Sequence, residues 1–275
     1  MRICAGIVTY NPDIERLKEN IDAVKSQVDK IFLIDNASNN IVNIQILTEI
    51  SQTVLIKNTE NLGIAKALNQ LCERACQEGY ESILTLDQDS VVPEGMVLEL
   101  AKYAGRTVAI VAPDIVYRNN ENLTGAPKDT VDNVEWVITS ASLTNLAVWK
   151  EIGGFDEKLF IDGVDRDYCI RAGRAGFSII KNRNAQLLHE LGNLKCRKLF
   201  GRTIYVTNHS PFRYFYMARN ALYLDNKLGL NAARKTIVKL ILKILFYESC
   251  KLEKFQTIFK GVREAKNMSL ISKEK

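Results

Sequence analysis

Ile83-Leu84-Thr85-Leu86-Asp87-Gln88-Asp89-Ser90 runs a strand-like apolar stretch directly into two aspartates one residue apart. In extended backbone the side chains at i and i+2 point to the same side, so Asp87 and Asp89 can converge on one cation. Their hard oxygen donors suit Mg2+ or Mn2+, with phosphate and water filling the remaining coordination positions. A polar turn closing a strand gives the same pattern, so the rest of the chain must decide.

Outward from this stretch, the first 115 residues alternate strand-like and helix-like segments. Residues 3–9, 30–34, 53–57, 83–86 and 108–112 read as strands; residues 13–27, 41–51 and 63–78 read as helices. Such alternation predicts an α/β fold, a mostly parallel Rossmann-like sheet with helices on both faces. In these sheets ligands bind beyond the carboxyl ends of the strands. Thr9-Tyr10-Asn11, Asp35-Asn36 and Asp87-Gln88-Asp89 all stand at such ends, and three polar clusters on one rim are much harder to obtain by chance than one. Gly6-Ile7-Val8-Thr9-Tyr10-Asn11 follows the first strand where a dinucleotide site needs Gly-x-Gly-x-x-Gly, and no Gly-x-x-x-x-Gly-Lys-Ser/Thr is present. NAD and P-loop chemistry are therefore disfavoured.

With 275 residues the chain can bury a full core and carry an appendage. The net charge of +5 hides an asymmetry: residues 1–180 hold 17 Lys and Arg against 26 Asp and Glu, residues 181–275 hold 20 against 6. An acidic portion followed by a basic one suggests two tasks. The apolar and aromatic residues between the basic ones fit an anionic membrane surface better than nucleic acid. The N-terminus lacks the pattern of a signal peptide, and the six cysteines form no Cys-x-x-Cys pair or zinc-ligand cluster. Reduced thiols in a cytoplasmic protein are expected.

Taken in order, IVTYNPD, LIDNASNN, NTENLGIAKALNQ, LTLDQDS, GGFDEKLFIDGVDRDYCIRAGRAGF and LLHELG resemble the motifs of inverting family 2 glycosyltransferases of the GT-A type, over residues 3–225. The Asp-Gln-Asp-Ser form, the segment from Phe160 to Asp165 and His209-Ser210-Pro211-x-Arg213-Tyr214 resemble the rhamnosyltransferase-like branch. That resemblance implies a dTDP-β-L-rhamnose donor, with a UDP-hexose as the alternative. It places the donor base near Thr9, Tyr10 and Asn11, with Asp35 accepting from the pyrimidine N–H and Asn36 and Ser38 closing that edge. A helix cap or Asx turn is the structural alternative for Asp35-Asn36. Asn61 and Gly63 open a helix whose free N–H groups, with Lys66 one turn inside, suit a phosphate; a capped helix with a solvated Lys66 is the alternative.

The resemblance further implies that Asp87, with Gln88 beside it, approaches the ribose, that Asp89 binds the metal, and that His189 completes the metal site. Trp136–Leu143, with Ser140 and Ser142, resembles the segment under the acceptor, with Ala141 where relatives often have Gly. Asp165 aligns with the general base, and Asp162 and Asp167 are its neighbours; an acidic first turn complementing the helix dipole accounts for some of the three. Arg213 and Arg219 suit a diphosphate or lipid headgroups, since a planar guanidinium matches phosphate oxygens.

Residues 1–225 read as the catalytic domain and 226–275 as a basic helical tail. Its segment Thr236–Tyr247 is 12 residues long and carries Lys239 and Lys243, too short and too charged to span a bilayer. Two readings stand side by side: an interfacial helix with snorkelling lysines, or packing through Ile237, Leu240 and Ile244. The expected acceptor is a glycan or lipid-linked saccharide at the cytoplasmic face of the inner membrane. A non-catalytic nucleotide-sugar-binding subunit of a glycan-assembly complex is the rival from another class. A nucleotidyltransferase would need a Gly- and Lys-rich loop after the first strand, which is missing. A homo-oligomer stays open.

Overall fold

The computed structural model describes residues 1–48, 53–117, 130–189, 195–199, 202–206 and 208–271, without the side chains of 117, 188–189, 195–206 and 269–271. The chain divides into two compact units: Met1–Phe160 with Val164–Glu190, and Ile161–Gly163 with Leu191–Lys275.

The first unit is an eight-stranded sheet in the order β3-β2-β1-β4-β7-β5-β8-β6. Its strands are β1 (Ile3–Thr9), β2 (Lys30–Asp35), β3 (Thr53–Lys57), β4 (Ser82–Asp87), β5 (Val108–Tyr117), β6 (Val131–Asn133), β7 (Ser142–Asn145) and β8 (Ser178–His189). β1 pairs in parallel with β2 and β4, β2 with β3, and β5 with β8; β7 and β6 run antiparallel to their neighbours. β1, β2 and β4 are apolar along nearly their whole length because a parallel sheet is covered on both faces. The helices are α1 (Ile14–Val24), α2 (Ile41–Leu47), α3 (Ile64–Gln77), α4 (Met96–Ala101), α5 (Leu146–Glu151) and α6 (Val164–Arg174). α1 starts where the Asp13 carboxylate accepts from Arg16 N, and it buries Leu17, Ile21 and Val24 at i, i+4 and i+7. The helical pattern expected over 41–51 stops at Leu47, where Thr48 turns its hydroxyl onto Gln45 O; residues 49–52 lie outside the described residues. The last rungs decide the site: Thr9 lies opposite Asp35 and Val8 opposite Asp87, so three strand ends share one row.

The second unit holds an antiparallel pair, β9 (Lys195–Leu199) and β10 (Arg202–Val206), and three helices, α7 (Pro211–Leu228), α8 (Ala233–Tyr247) and α9 (Lys251–Ile271). Residue 226, expected to open the tail, lies inside α7. α7 begins with Ser210 as N-cap and Pro211 in its first turn, and Gly229 at φ +66° ends it. The Asp225 carboxylate then accepts from Ala232 N and Ala233 N at 3.0 and 2.6 Å, capping α8. Leu240 and Ile244 of α8 are buried against Tyr214, Ala218 and Ile258, with Ile237 packed beside them. This row is therefore a packing row. Lys243, expected at an interface, pairs with Glu248 at 3.4 Å. Glu248 and Lys254 form a buried pair at 2.8 Å, and Asn208 Oδ1 accepts from the same ammonium.

α7 and α9 pack backbone to backbone at Gly261. A Cβ there would lie 2.4 Å from Phe215 O and 3.2 Å from Arg219 N, both backbone atoms. Helix propensity alone favours alanine over glycine by about 1 kcal/mol. Here overpacking dominates, and Gly261→Ala is expected to destabilise the second unit by about 1–3 kcal/mol. Urea unfolding read by hydrogen exchange in α7 and α9 checks this; an unchanged or raised stability would mean the crossing can open.

The same unit is expected to lose stability in acid. Burial holds the His209 imidazole below its ordinary pKa of 6.5, and the Arg213 and Lys243 cations lower it further against the pull of Asp162 and Glu248. Burial pushes the Glu248 carboxyl up, but the Lys254 hydrogen bond and the charges of Lys243 and Lys254 outweigh it, leaving it below 4.5. A depressed folded value, for either group, means stability that is present above the unfolded pKa and lost as pH falls through the folded one. The His209 contribution should fade below about pH 6.5 and that of Glu248 below about 4.5. His209→Gln should flatten the first part; a hydrogen-exchange stability that is level from neutral pH to about pH 5 would contradict the assignment.

Candidate active site

The row of strand ends carries three loops that are hydrogen-bonded to one another. Thr9 Oγ1 donates to Ile34 O at 3.2 Å and to Asp35 Oδ1 at 3.1 Å. Asp35, 1% exposed, also accepts from Ser38 N and Ser38 Oγ. Its carboxylate thus closes the turn after β2, with Oδ2 accepting from Ser38 N at 2.8 Å. Asn11 N donates to Ser38 Oγ at 2.7 Å, and Asn39 N to Asn11 Oδ1 at 2.8 Å, joining the loop after β1 to the loop after β2. Tyr10 N donates to Gln88 Oε1 at 2.9 Å, joining the loop after β1 to the turn after β4. Thr9, Tyr10, Asn11, Asp35, Asn36 and Gln88 therefore do come together, with the Tyr10 ring exposed above them.

Asp87 and Asp89 are both exposed at the end of β4. Asn20 Nδ2 donates to Asp87 O at 2.7 Å and fixes this turn to α1. Gln88 and Asp89 line a depression shared with Asp13, Glu15, Arg16 and Glu19, and Arg16 is paired with Glu19 at 2.6 Å. Carboxylate oxygens are hard donors of the kind that Mg2+ or Mn2+ takes. Among the described residues no group of three or more His, Cys, Asp or Glu converges on one point. His189 ends β8 opposite Tyr117, and its side chain lies outside the described residues.

Asn61 Oδ1 accepts from Gly63 N, turning the chain into α3. Gly63 sits at φ +82°, ψ 173°, open to glycine alone, and a Cβ would lie 2.5 Å from Phe160 O. That carbonyl accepts from Ile64 N at 2.7 Å, so one of the free N–H groups of this helix end is taken inside the protein. Lys66 reaches Glu157 at 3.0 Å rather than standing in solvent alone. Asn36 is held by Asn58, and Asn58 and Gln70 exchange two amide hydrogen bonds at 3.0 Å.

β7 brings the next loop alongside. Thr85 Oγ1 donates to Thr139 O at 2.6 Å, and the hydroxyls of Ser90 and Ser140 lie 2.9 Å apart. Ser142 is turned inward onto Ile138 O and Ala141 stands between the two serines at φ +57°, a conformation in which glycine is unstrained. Thr139 Oγ1 donates to Asp165 Oδ1 at 2.8 Å. Asp165 is half-buried, while Asp167 is fully buried and paired with Arg171 at 2.8 Å. Arg171 also donates to Ile152 O and Gly154 O, so Asp167 belongs to the packing of α6. In the second unit, Arg213 forks onto Asp162, its nearest contact 3.0 Å. Arg219 donates to Asn220 Oδ1 at 2.8 Å and lies over the Tyr216 ring. Both expected phosphate-facing arginines are thus engaged within their own unit.

Sequence reasoning missed Thr139, Asn69 and Asn220. Asn69 accepts from Trp149 Nε1 and Phe155 N and donates to Phe155 O, fixing the turn before α6. Asn220 Nδ2 donates to Ile161 O and Asp162 O, both at 2.7 Å. A buried Asn on a helix carries no local sign of such a partner.

The family model described as "Glycosyl transferase family 2" matches residues 4–175. The dTDP-rhamnosyl transferase RfbF of Shigella flexneri is 30% identical over 241 residues, covering 82% of this chain and 80% of RfbF. Among solved structures, GalNAc-T7, crystallised with UDP, GalNAc and Mn2+, superposes with a TM-score of 0.64 at 13% identity over 93% of this chain, which spans only 54% of GalNAc-T7. The mannosyltransferase PcManGT of Pyrobaculum calidifontis, in complex with GDP-Man and Mn2+, gives 0.61 at 15% identity, covering 97% of this chain and 75% of PcManGT. Residues 1–349 of TarS from S. aureus give 0.57 at 13% identity, covering 97% of this chain and 90% of that fragment. The sheet and its helices have the GT-A fold, and the chain belongs to glycosyl transferase family 2.

Proposed function

We propose that this chain transfers L-rhamnose from dTDP-β-L-rhamnose to a hydroxyl of a glycan or lipid-linked saccharide, with inversion, at the cytoplasmic face of the inner membrane. The observation that carries the chemistry is Asp165. It is half-buried in the first turn of α6, whereas Asp167 is fully buried against Arg171 and Asp162 is held by the Arg213 fork. Its Oδ1 is fixed by Thr139, and the adjoining Ser140 meets Ser90 of the Asp-Gln-Asp-Ser turn. A carboxylate so held can take the proton of an acceptor hydroxyl as that oxygen bonds to the anomeric carbon. The bond from that carbon to the diphosphate breaks on the opposite side, and the electron pair leaves with dTDP. No covalent intermediate on the protein is needed.

The donor reading is supported by the similarity to the Shigella enzyme. On this reading Thr9, Tyr10, Asn11, Asn36 and Asp35 receive the thymine, with Asp35 Oδ2 accepting from its imide N–H. Asn61, Gly63, Lys66, Asp87 and Gln88 border the ribose and diphosphate. Asp87 and Asp89, with His189 as the third ligand, would hold a Mg2+ or Mn2+ ion, which supplies neutralisation of the charge developing on the leaving diphosphate. The loop of Ser140 borders the acceptor path, while Ser142, expected there too, is fully buried on Ile138 O and supports the loop from inside.

Turnover with a panel of nucleotide sugars, read as nucleotide release, tests this. Asp165→Asn is expected to retain dTDP binding by calorimetry and to lose turnover by about 100-fold or more. Asp89→Ala and chelation by EDTA should each abolish transfer with the fold intact. dTDP should bind at least as tightly as UDP, and GDP poorly. Preference for a UDP-hexose would move the donor assignment, and an active Asp165→Asn enzyme would remove the base.

A further inference from the structure

α8 is apolar on two sides, and only one of them is covered. Ala233, Ile237, Leu240 and Ile244 form the inner row on the α7–α9 core. At 100° per residue a second row, Val238, Leu242 and Leu245, points away from it, with Phe246 at its edge. These four are 48, 47, 46 and 64% exposed. A helix apolar all round is normally buried on both sides. Arg234 borders the outer row on one flank and Lys235 and Lys239 on the other, all exposed. Residues 233–247 contain no acid, and Glu248, the next acid along the chain, is buried against Lys254.

We propose that this outer row docks on an anionic lipid bilayer, with α8 lying flat in the interface. Charge selects the occupant. A second copy meeting the row through a two-fold axis would bring two sets of Arg234, Lys235 and Lys239 into one interface, with no acid of α8 to pair them. A bilayer with anionic headgroups takes up both the apolar row and its cationic borders. Fifteen residues span about 22 Å, short of a hydrocarbon core of about 30 Å. No helix among the described residues is long and apolar enough to cross a membrane. The sequence offered the membrane and the core as alternatives for this helix; the geometry gives each its own row. The proposal rests on the rhamnosyl-transfer reading only through the lipid-linked acceptor, and it is measured without donor.

The test is co-sedimentation of the full chain with vesicles of phosphatidylcholine alone and of phosphatidylcholine mixed with phosphatidylglycerol. Binding is expected with the second only, and it should weaken as NaCl is raised. Lys235→Glu with Lys239→Glu should weaken it about tenfold or more. Leu242→Ser with Phe246→Ser, both at exposed positions, should weaken it at every salt concentration, with dTDP affinity and thermal stability unchanged in both variants. No binding to the anionic vesicles, or equal binding by the variants, overturns the proposal. So does a dimer in light scattering that Leu242→Ser with Phe246→Ser dissolves, because the row then belongs to a second copy. Vesicle binding together with failure of transfer to a water-soluble acceptor for every donor would remove the rhamnosyl-transfer reading and leave the docking surface standing.

Discussion

Thr9 and Asp35 face each other on the last rung between β1 and β2, and their side chains close a hydrogen bond there. The other groups of the rim are arranged around this contact. Asp35 is almost fully buried, and an ionised carboxylate in that position must be met by donors. Thr9 and both donors of Ser38 supply them. Ser38 then holds Asn11, Asn11 holds Asn39, and Tyr10 holds Gln88, so three loops take one conformation together. The parallel register makes this possible: had β2 or β4 slipped by one residue, the polar ends would face the opposite side of the sheet.

The strands that build this rim were legible because a parallel strand covered on both faces is apolar throughout and stops abruptly at a polar loop. β6 and β7 were not. Ser142-Leu143-Thr144-Asn145 is short and half polar, and its place between β4 and β5 comes from pairing with strands far away in sequence. The partners of the site residues were equally hidden. Glu157 meets Lys66 across 91 positions, and Thr139 meets Asp165 across 26. Helical phase did separate Asp165 from Asp167, since two residues are about 200° apart on a helix. Which acid faced inward became readable only through Arg171 and its two carbonyl acceptors. The tail was legible as helical, but the part played by Gly261 was not, because its neighbours Phe215 O and Arg219 N are on α7, over 40 positions away.

Ile161–Gly163 belongs to the second unit although the chain on both sides of it belongs to the first. Asp162 and Gly163 both have positive φ, a run that an unsupported loop adopts only at a cost. Asn220 meets it with two hydrogen bonds to consecutive carbonyls, Arg213 forks onto the Asp162 carboxylate, and Leu224 closes on Gly163, where a Cβ would lie 2.9 Å from its Cδ1. One face of α7 therefore holds three successive residues by three different kinds of contact. This gives the arginine and asparagine of the RYFYMARN segment a task that needs no ligand, and a lysine at 213 would not reproduce it, because a compact ammonium lacks the fork that meets Asp162.

The buried pair Glu248–Lys254 bears on the surface of α8 as well as on its core. A buried ion pair adds little stability by itself, because desolvation offsets most of the attraction. Its consequence here is spatial. Glu248 is the acid that directly follows α8, and it is drawn inward to Lys254 and Lys243. Lys243 is the member of the lysine series that it neutralises. Arg234 and Lys235 lie on the other side of the helix, and Lys239, one turn before Lys243, stays exposed, so the outward face keeps one sign of charge beside its apolar row. One helix thus presents two different surfaces, and the sign of charge left outside is set by which of its acids and lysines the core has taken.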